Sequence, residues 1–132
     1  ARRVGLSTAA VHERIKKLEQ AGVIRRWTVL LDAAAVGSPV TSFVEVFFEH
    51  PRHETAFLER VADMEEVQEC HHVTGESSLL LKVRVADMES LQQLLLKELG
   101  AFEGVRQTRT VMALSTVKEE TFVPLAPEGG ES

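Results

Sequence analysis

At 132 residues the chain is long enough for one well-buried domain with a short appendage, and too short for two domains of ordinary size. With 44% apolar and 27% charged residues it has the composition of a globular protein, and its apolar runs fall far short of the roughly 20 residues a membrane helix needs. The net charge of -5 excludes a uniformly basic nucleic-acid binder, yet that charge is unevenly spread. Residues 1–31 carry seven basic side chains (Arg2, Arg3, Arg14, Lys16, Lys17, Arg25, Arg26) against Glu13 and Glu19, whereas the remainder carries eight basic and eighteen acidic ones. A small basic element that contacts nucleic acid, attached to an acidic body, has this asymmetry. The single cysteine, Cys70, rules out an internal disulfide. With no signal-peptide pattern at the start, a bacterial-type cytoplasm is the expected setting. The chain opens without Met on residues that read as the end of a helix, so an earlier segment is expected upstream.

Val11, Ile15 and Leu18 recur at spacings of four and three, which predicts a helix from Ser7 to about Gln20. Ser7 is its expected N-cap, since a hydroxyl there accepts from a free first-turn amide, and Gly22 is its expected stop. Gly5 and Leu6 form a turn before it, giving helix, turn, helix. Val23 to Leu31 alternates loosely around Trp27 and is expected to be a linker strand. Asp32 to Pro39, with Gly37 and Pro39, is expected to be a hinge between residues 1–31 and a domain over residues 40–120.

Val40 to Glu49 is rich in β-branched and aromatic residues and ends at His50 and Pro51, which predicts a strand. Phe57, Val61 and Met64 mark a helical face on roughly Glu54 to Asp63. Val67 to Val73 and Ser78 to Val85 are expected strands flanking a turn at Thr74 to Ser77. Met88, Leu91, Leu95 and Leu99 mark a second helix capped by Asp87, and Val105 to Val117 a long fourth strand. Residues 121–132 are expected to form a flexible tail. The fold class is therefore α+β: a ferredoxin-like β-α-β-β-α-β domain with both helices on one sheet face, preceded by a partial helix-turn-helix. The first strand has Phe43 and Phe47 on one side and Val44, Val46 and Phe48 on the other, and the fourth is likewise apolar on both. Strands apolar on both faces are expected to be buried on both. A second subunit packed sheet against sheet, in the manner of a dimeric α/β barrel, would supply the missing cover.

The stretch from Arg2 to Trp27, with a glycine turn, a capping serine, an arginine-bearing helix, Leu-Glu, a small residue and Gly-Val-Ile, resembles the second half of the winged helix-turn-helix of Lrp/AsnC transcription regulators. Val67 to Glu119 is similar to that family's ligand-sensing domain, including its Val-Thr-Gly turn before an aliphatic strand and its Gly-Val-X-X-Thr-X-Thr last strand. The conjunction carries the weight, since either fold alone is unspecific. The resemblance implies a recognition helix at Ser7 to Gln20. Thr8, Ala9 and His12 are then the candidates for contact with base edges, and Ser7, Lys16, Lys17 and Arg2 for contact with phosphate. Arg14 either touches phosphate or pairs with Glu19 in its own helix. The family's first helix and most of its second are absent from this sequence, so the function is expected of the intact protein.

The resemblance also implies an effector cleft between dimers, around Val73, Thr74, Gly75, Glu76, Ser77 and Ser78, where amides near Gly75 hold a carboxylate and Thr74 or Ser78 supplies a hydroxyl. Family members that bind amino acids commonly show an aspartate where Ser78 stands. Three alternatives follow: Glu76 substitutes for it, the ligand is not an ordinary amino acid, or the protein needs no effector. The implied assembly is a dimer that closes into a ring of eight.

Other chemistry has less support. Cys70, His71 and His72, with His50 and His53 elsewhere, invite a metal, but alternation sets Cys70 and His72 opposite to His71, so no metal site and no cofactor are expected. Plaited-sheet enzymes such as acylphosphatases compete as a class, but the chain has no phosphate-cradling glycine loop after a strand and contains neither Asn nor Tyr. The remaining alternative is a stand-alone effector-sensing and assembly module without DNA binding of its own.

Overall fold

In the computed structural model, residues 7–126 are described. They fall into two compact units, divided between Leu31 and Asp32. In the first, α1 spans Thr8–Gln20. It begins where Ser7 Oγ accepts from the amide of Ala10 at 3.0 Å. It ends in a paired carbonyl closure, with the Gly22 N–H on Glu19 O (3.1 Å) and the Val23 N–H on Leu18 O (2.9 Å). That closure requires a left-handed residue, and Gly22 has φ +82. No residue of α1 is buried; of the Val11, Ile15, Leu18 stripe the first two are partly covered and Leu18 is exposed.

The expected linker strand is absent: residues after Ile24 run irregularly to Asp32, and Val29, Leu30 and Leu31 are exposed. An extended segment becomes a strand only when another edge pairs with it, and none does here. Asp32 to Ser38 instead forms a capped turn. The Asp32 carboxylate accepts from the Ala35 amide at 3.0 Å, and the Ser38 N–H closes on Ala33 O at 2.8 Å.

The second unit has the order β1 (Val40–Phe48), α2 (Glu54–Val61), β2 (Val67–His72), β3 (Leu79–Val85), α3 (Met88–Gln93) and β4 (Val105–Met112). Its sheet runs β2-β3-β1-β4, every pair antiparallel, which is the ferredoxin-like arrangement. Val44, Val46, Leu79, Leu81, Val83 and Val85 meet Phe57, Val61, Leu91, Leu94 and Leu99 from the helices in one core. Phe57 sits edge-on between Phe48 and Phe102, with ring centroids at 5.2 and 5.3 Å.

Three details depart from the expected pattern. The second helix widens after Gln93 into a π-helix over Leu94–Leu99. Leu94 follows the buried Leu91 by three residues, and the wider turn then brings Leu99, five residues on, into the core, while Met88 at the helix start is exposed. Gly100 closes this segment with its N–H on Leu95 O at 2.7 Å, and a Cβ there would lie 2.6 Å from that oxygen. Second, β4 stops at Met112. Ala113 N–H still reaches Thr41 O at 3.0 Å, but β1 begins at Val40 and the preceding Pro39 has no N–H to offer. Third, Phe47 is buried on the helix-free face of the sheet because Arg106 and Arg109 lie over its ring at 5.4 and 5.3 Å.

Two bulges shape the outer strands. Val67 pairs with Val83 but Glu69 with Lys82, leaving Gln68 extra on β2. Phe47 pairs with Gln107 but Phe48 with Val105, leaving Arg106 extra on β4. Each inserted residue sends its side chain toward the helix-free face: Gln68 accepts from Arg84 Nε at 2.7 Å, and Arg106 covers Phe47.

Candidate DNA-contacting helix and effector loop

On α1, Thr8, Ala9, His12, Arg14, Lys16 and Lys17 are all exposed. Thr8, His12 and Lys16 stand at spacings of four and therefore share one ridge. Ala9, His12 and Lys16 border a shallow surface groove together with Glu13, Ile15 and Glu19. No acidic residue occupies the first turn, so the positive end of the helix dipole is uncompensated there. Ser7 spends an acceptor on the cap and keeps its hydroxyl hydrogen for donation. Glu19 takes the indole N–H of Trp27. Among the described residues Arg14 makes no ion pair, so the expected alternative of pairing with Glu19 is not the one adopted. Arg2 lies outside the described residues.

The loop between β2 and β3 is narrow and held at its base. Val73 N–H reaches Ser78 O at 3.4 Å, and Ser78 N–H donates to Val46 O on β1 at 3.0 Å. Between these ties, Thr74, Gly75 and Glu76 are exposed and Ser77 is buried. Among the described residues the amides of Thr74, Gly75 and Glu76 make no backbone hydrogen bond. Gly75 has φ +106, with nothing within 4 Å of where a Cβ would stand. The constraint on this residue is therefore conformational and not steric. The six expected loop residues thus divide: Val73 and Ser78 fasten the loop, Ser77 faces inward, and three present polar groups outward.

The histidine and cysteine residues have ordinary partners. His72 Nε2 lies 2.7 Å from Glu54 Oε1, and His71 Nε2 lies 3.1 Å from Glu69 Oε1 on the other side of the sheet. Cys70 is half-buried against the core. Burial pushes its thiol pKa up, and the Glu54 carboxylate adds to the rise. Among the described residues no three such groups gather as a metal requires.

A cluster that periodicity did not single out lies on the helix-free sheet face. Lys82 Nζ and Arg84 Nη2 both bind Glu119 Oε2 from the segment after β4. Arg84 also donates to Thr41 Oγ1 at 2.9 Å. The two cations stand at i and i+2 on one strand, a pattern visible in the sequence. Their carboxylate comes from more than thirty residues downstream and carries no signal of its own.

Comparison with known proteins agrees with this architecture. The Lrp/AsnC ligand binding domain family matches residues 41–123, and a winged helix-turn-helix DNA-binding family matches residues 1–25. The chain is 36% identical over 126 residues to the leucine-responsive regulatory protein of Haemophilus influenzae, covering 94% of this chain and 76% of that protein. A Neisseria meningitidis transcriptional regulator, solved as an L-Met complex, superposes with a TM-score of 0.87 at 29% identity, covering 92% of this chain and 80% of that one. The feast or famine regulatory protein of Mycobacterium tuberculosis, solved with L-methionine, gives 0.81 at 33% identity, covering 92% and 82%. With a ligand-binding-domain match over most of its length that takes in the β2-β3-β1-β4 sheet, and a helix-turn-helix match at its start, the chain belongs to the Lrp/AsnC family of transcriptional regulators.

Proposed function

We propose that this regulator, in its intact form, binds DNA through α1 and couples that binding to an amino acid held at the Val73 to Ser78 loop. The observation that carries the reading is the loop itself: exposed amides at Thr74, Gly75 and Glu76 on a base pinned to β1 by Ser78. Backbone N–H groups with no partner are what a ligand carboxylate needs, and the neighbouring Thr74 hydroxyl and Glu76 carboxylate suit an amino group. Two solved relatives carry L-methionine, which makes methionine the first ligand to try.

On DNA, Thr8, Ala9 and His12 face base edges, while Ser7, Lys16 and Lys17 contact phosphate. Arg14 joins the phosphate set, because Glu19 is engaged by Trp27. The protein acts as a regulator and not as an enzyme, with the cytoplasm as its setting. Two copies pair through their helix-free sheet faces, where Phe43 is 37% and Val111 59% exposed, and dimers close into a ring of eight. Ligand shifts the ring or its DNA affinity only through unequal affinity for two states.

The test is DNA binding by the full-length protein to its own upstream region across a salt series, with and without L-methionine and other amino acids. Affinity that falls with salt at a log-log slope of about 0.9 per neutralised phosphate, and that shifts with one amino acid, supports the reading. An assembled protein that binds no DNA would make this a stand-alone sensing module.

A further inference from the structure

The helix-free face is not simply apolar. Around Phe43 and Val111 it presents Lys82, Arg84 and Arg109, and the pairing of two identical faces sets this patch against the same patch of the second copy. Arg109 has Glu45 at 2.7 Å. Lys82 has Glu69 only at 3.9 Å. Arg84 is the critical group, because its side chain is only 15% exposed and Lys82's only 13%. Its partners other than Glu119 are neutral: Thr41 Oγ1 and Gln68 Oε1. Without Glu119, Arg84 has no carboxylate among the described residues, and a mostly desolvated cation would lie uncompensated in a face that meets an identically charged one. Glu119 sits on an irregular segment in which Val117 and Phe122 are exposed, so no local packing accounts for its position. The ion pairs to Lys82 and Arg84 hold it on the sheet.

We propose that Glu119 is the counter-ion that lets two copies of this sheet face pack together, neutralising Lys82 and Arg84 so that the same surface tolerates itself. This rests on the sheet-face pairing proposed above. Its partner is a second copy of this chain, and the carboxylate acts by removing like-charge repulsion between the two faces.

The experiment measures the dimer dissociation constant of the full-length protein by sedimentation equilibrium at 50 and 500 mM salt. Glu119→Gln is expected to weaken the dimer about tenfold or more at low salt, with the difference shrinking at high salt as the surplus charge is screened. Adding Arg84→Met to that variant is expected to recover most of the loss, since it removes the charge left without a carboxylate. Equal dimerisation of wild type and Glu119→Gln at both salts overturns the proposal. So does a loss that is independent of salt and not recovered by Arg84→Met, because that would be a packing role. Phe43→Glu separates the two levels: if it leaves the dimer intact, the sheet-face pairing itself is wrong, and a wild type that is monomeric throughout overturns both.

Discussion

Gly104 opens the glycine-valine motif of the last strand, and the structure gives its replacement a calculable cost. It is the third residue of a turn closed by the Val105 N–H on Phe102 O at 3.0 Å, and its own carbonyl accepts from Glu49 N–H at 2.8 Å. With φ +91 it lies where L-residues are strained, and an added Cβ would stand 2.1 Å from His53 Cγ and 2.4 Å from His53 Cβ. Those are the stem atoms of the histidine, fixed at the start of α2, and cannot swing away. Gly104→Ala therefore incurs roughly 1–3 kcal/mol of backbone strain and a further 1–3 kcal/mol or so of overpacking, about 2–6 kcal/mol together. Urea unfolding of Gly104→Ala, His53→Gly and the double variant separates the two. The double variant should retain the strain but escape the clash, leaving it about 1–3 kcal/mol more stable than the sum of the single changes implies. Strict additivity, or a cost below about 1 kcal/mol for Gly104→Ala alone, would refute this account of why glycine stands there.

Two further outcomes follow from polar groups. The Ser42 hydroxyl is fully buried and has no hydrogen-bond partner among the described residues, so Ser42→Ala is expected to hold or raise the unfolding free energy, by up to about 1 kcal/mol; a clear loss in urea unfolding would reveal a partner. The pKa of Glu119 is lowered by hydrogen bonds from Lys82 and then Arg84, and that of Asp87 by hydrogen bonds from the Ser90 backbone and side chain. Because both folded values are depressed, the stability these carboxylates contribute is present above the ordinary carboxylate range near pH 4 and is lost as pH falls through the folded values. Melting temperatures from pH 7 to pH 3 should fall, and Glu119→Gln and Asp87→Asn should each flatten the acid limb; unchanged slopes would contradict the assignment.

Much of this was legible because the relevant forces are local. Ser7 and Asp87 cap helices where their hydroxyl or carboxylate precedes an apolar period, and Gly22 and Gly75 occupy the turns their freedom allows. What escaped depends on partners distant in sequence. The linker after Ile24 alternates as a strand does but has no edge to pair with. β4 ends where its neighbour runs into Pro39, a limit set some seventy residues earlier. Leu91, Leu95 and Leu99 recur at an α-like spacing of four, so the wider turn that sets Leu99 five residues after the buried Leu94 leaves no trace in the pattern. In the candidate sites, the exposed residues of α1 and of the 73–78 loop were nameable one by one, whereas the indole that occupies Glu19 and the carboxylate that occupies Arg84 had to be seen in place.

The bulges at Gln68 and Arg106 lie on β2 and β4, the only two strands of this sheet with an unpaired side. An open backbone edge invites another chain to continue the sheet without limit, and an inserted residue interrupts the repeat that such growth would copy. Both rims are also hydrophilic, with Glu69, His71 and His72 on one and Arg106, Gln107 and Arg109 on the other. Fibrous stacking is thereby discouraged at each rim, whereas broadside contact between sheet faces uses neither rim.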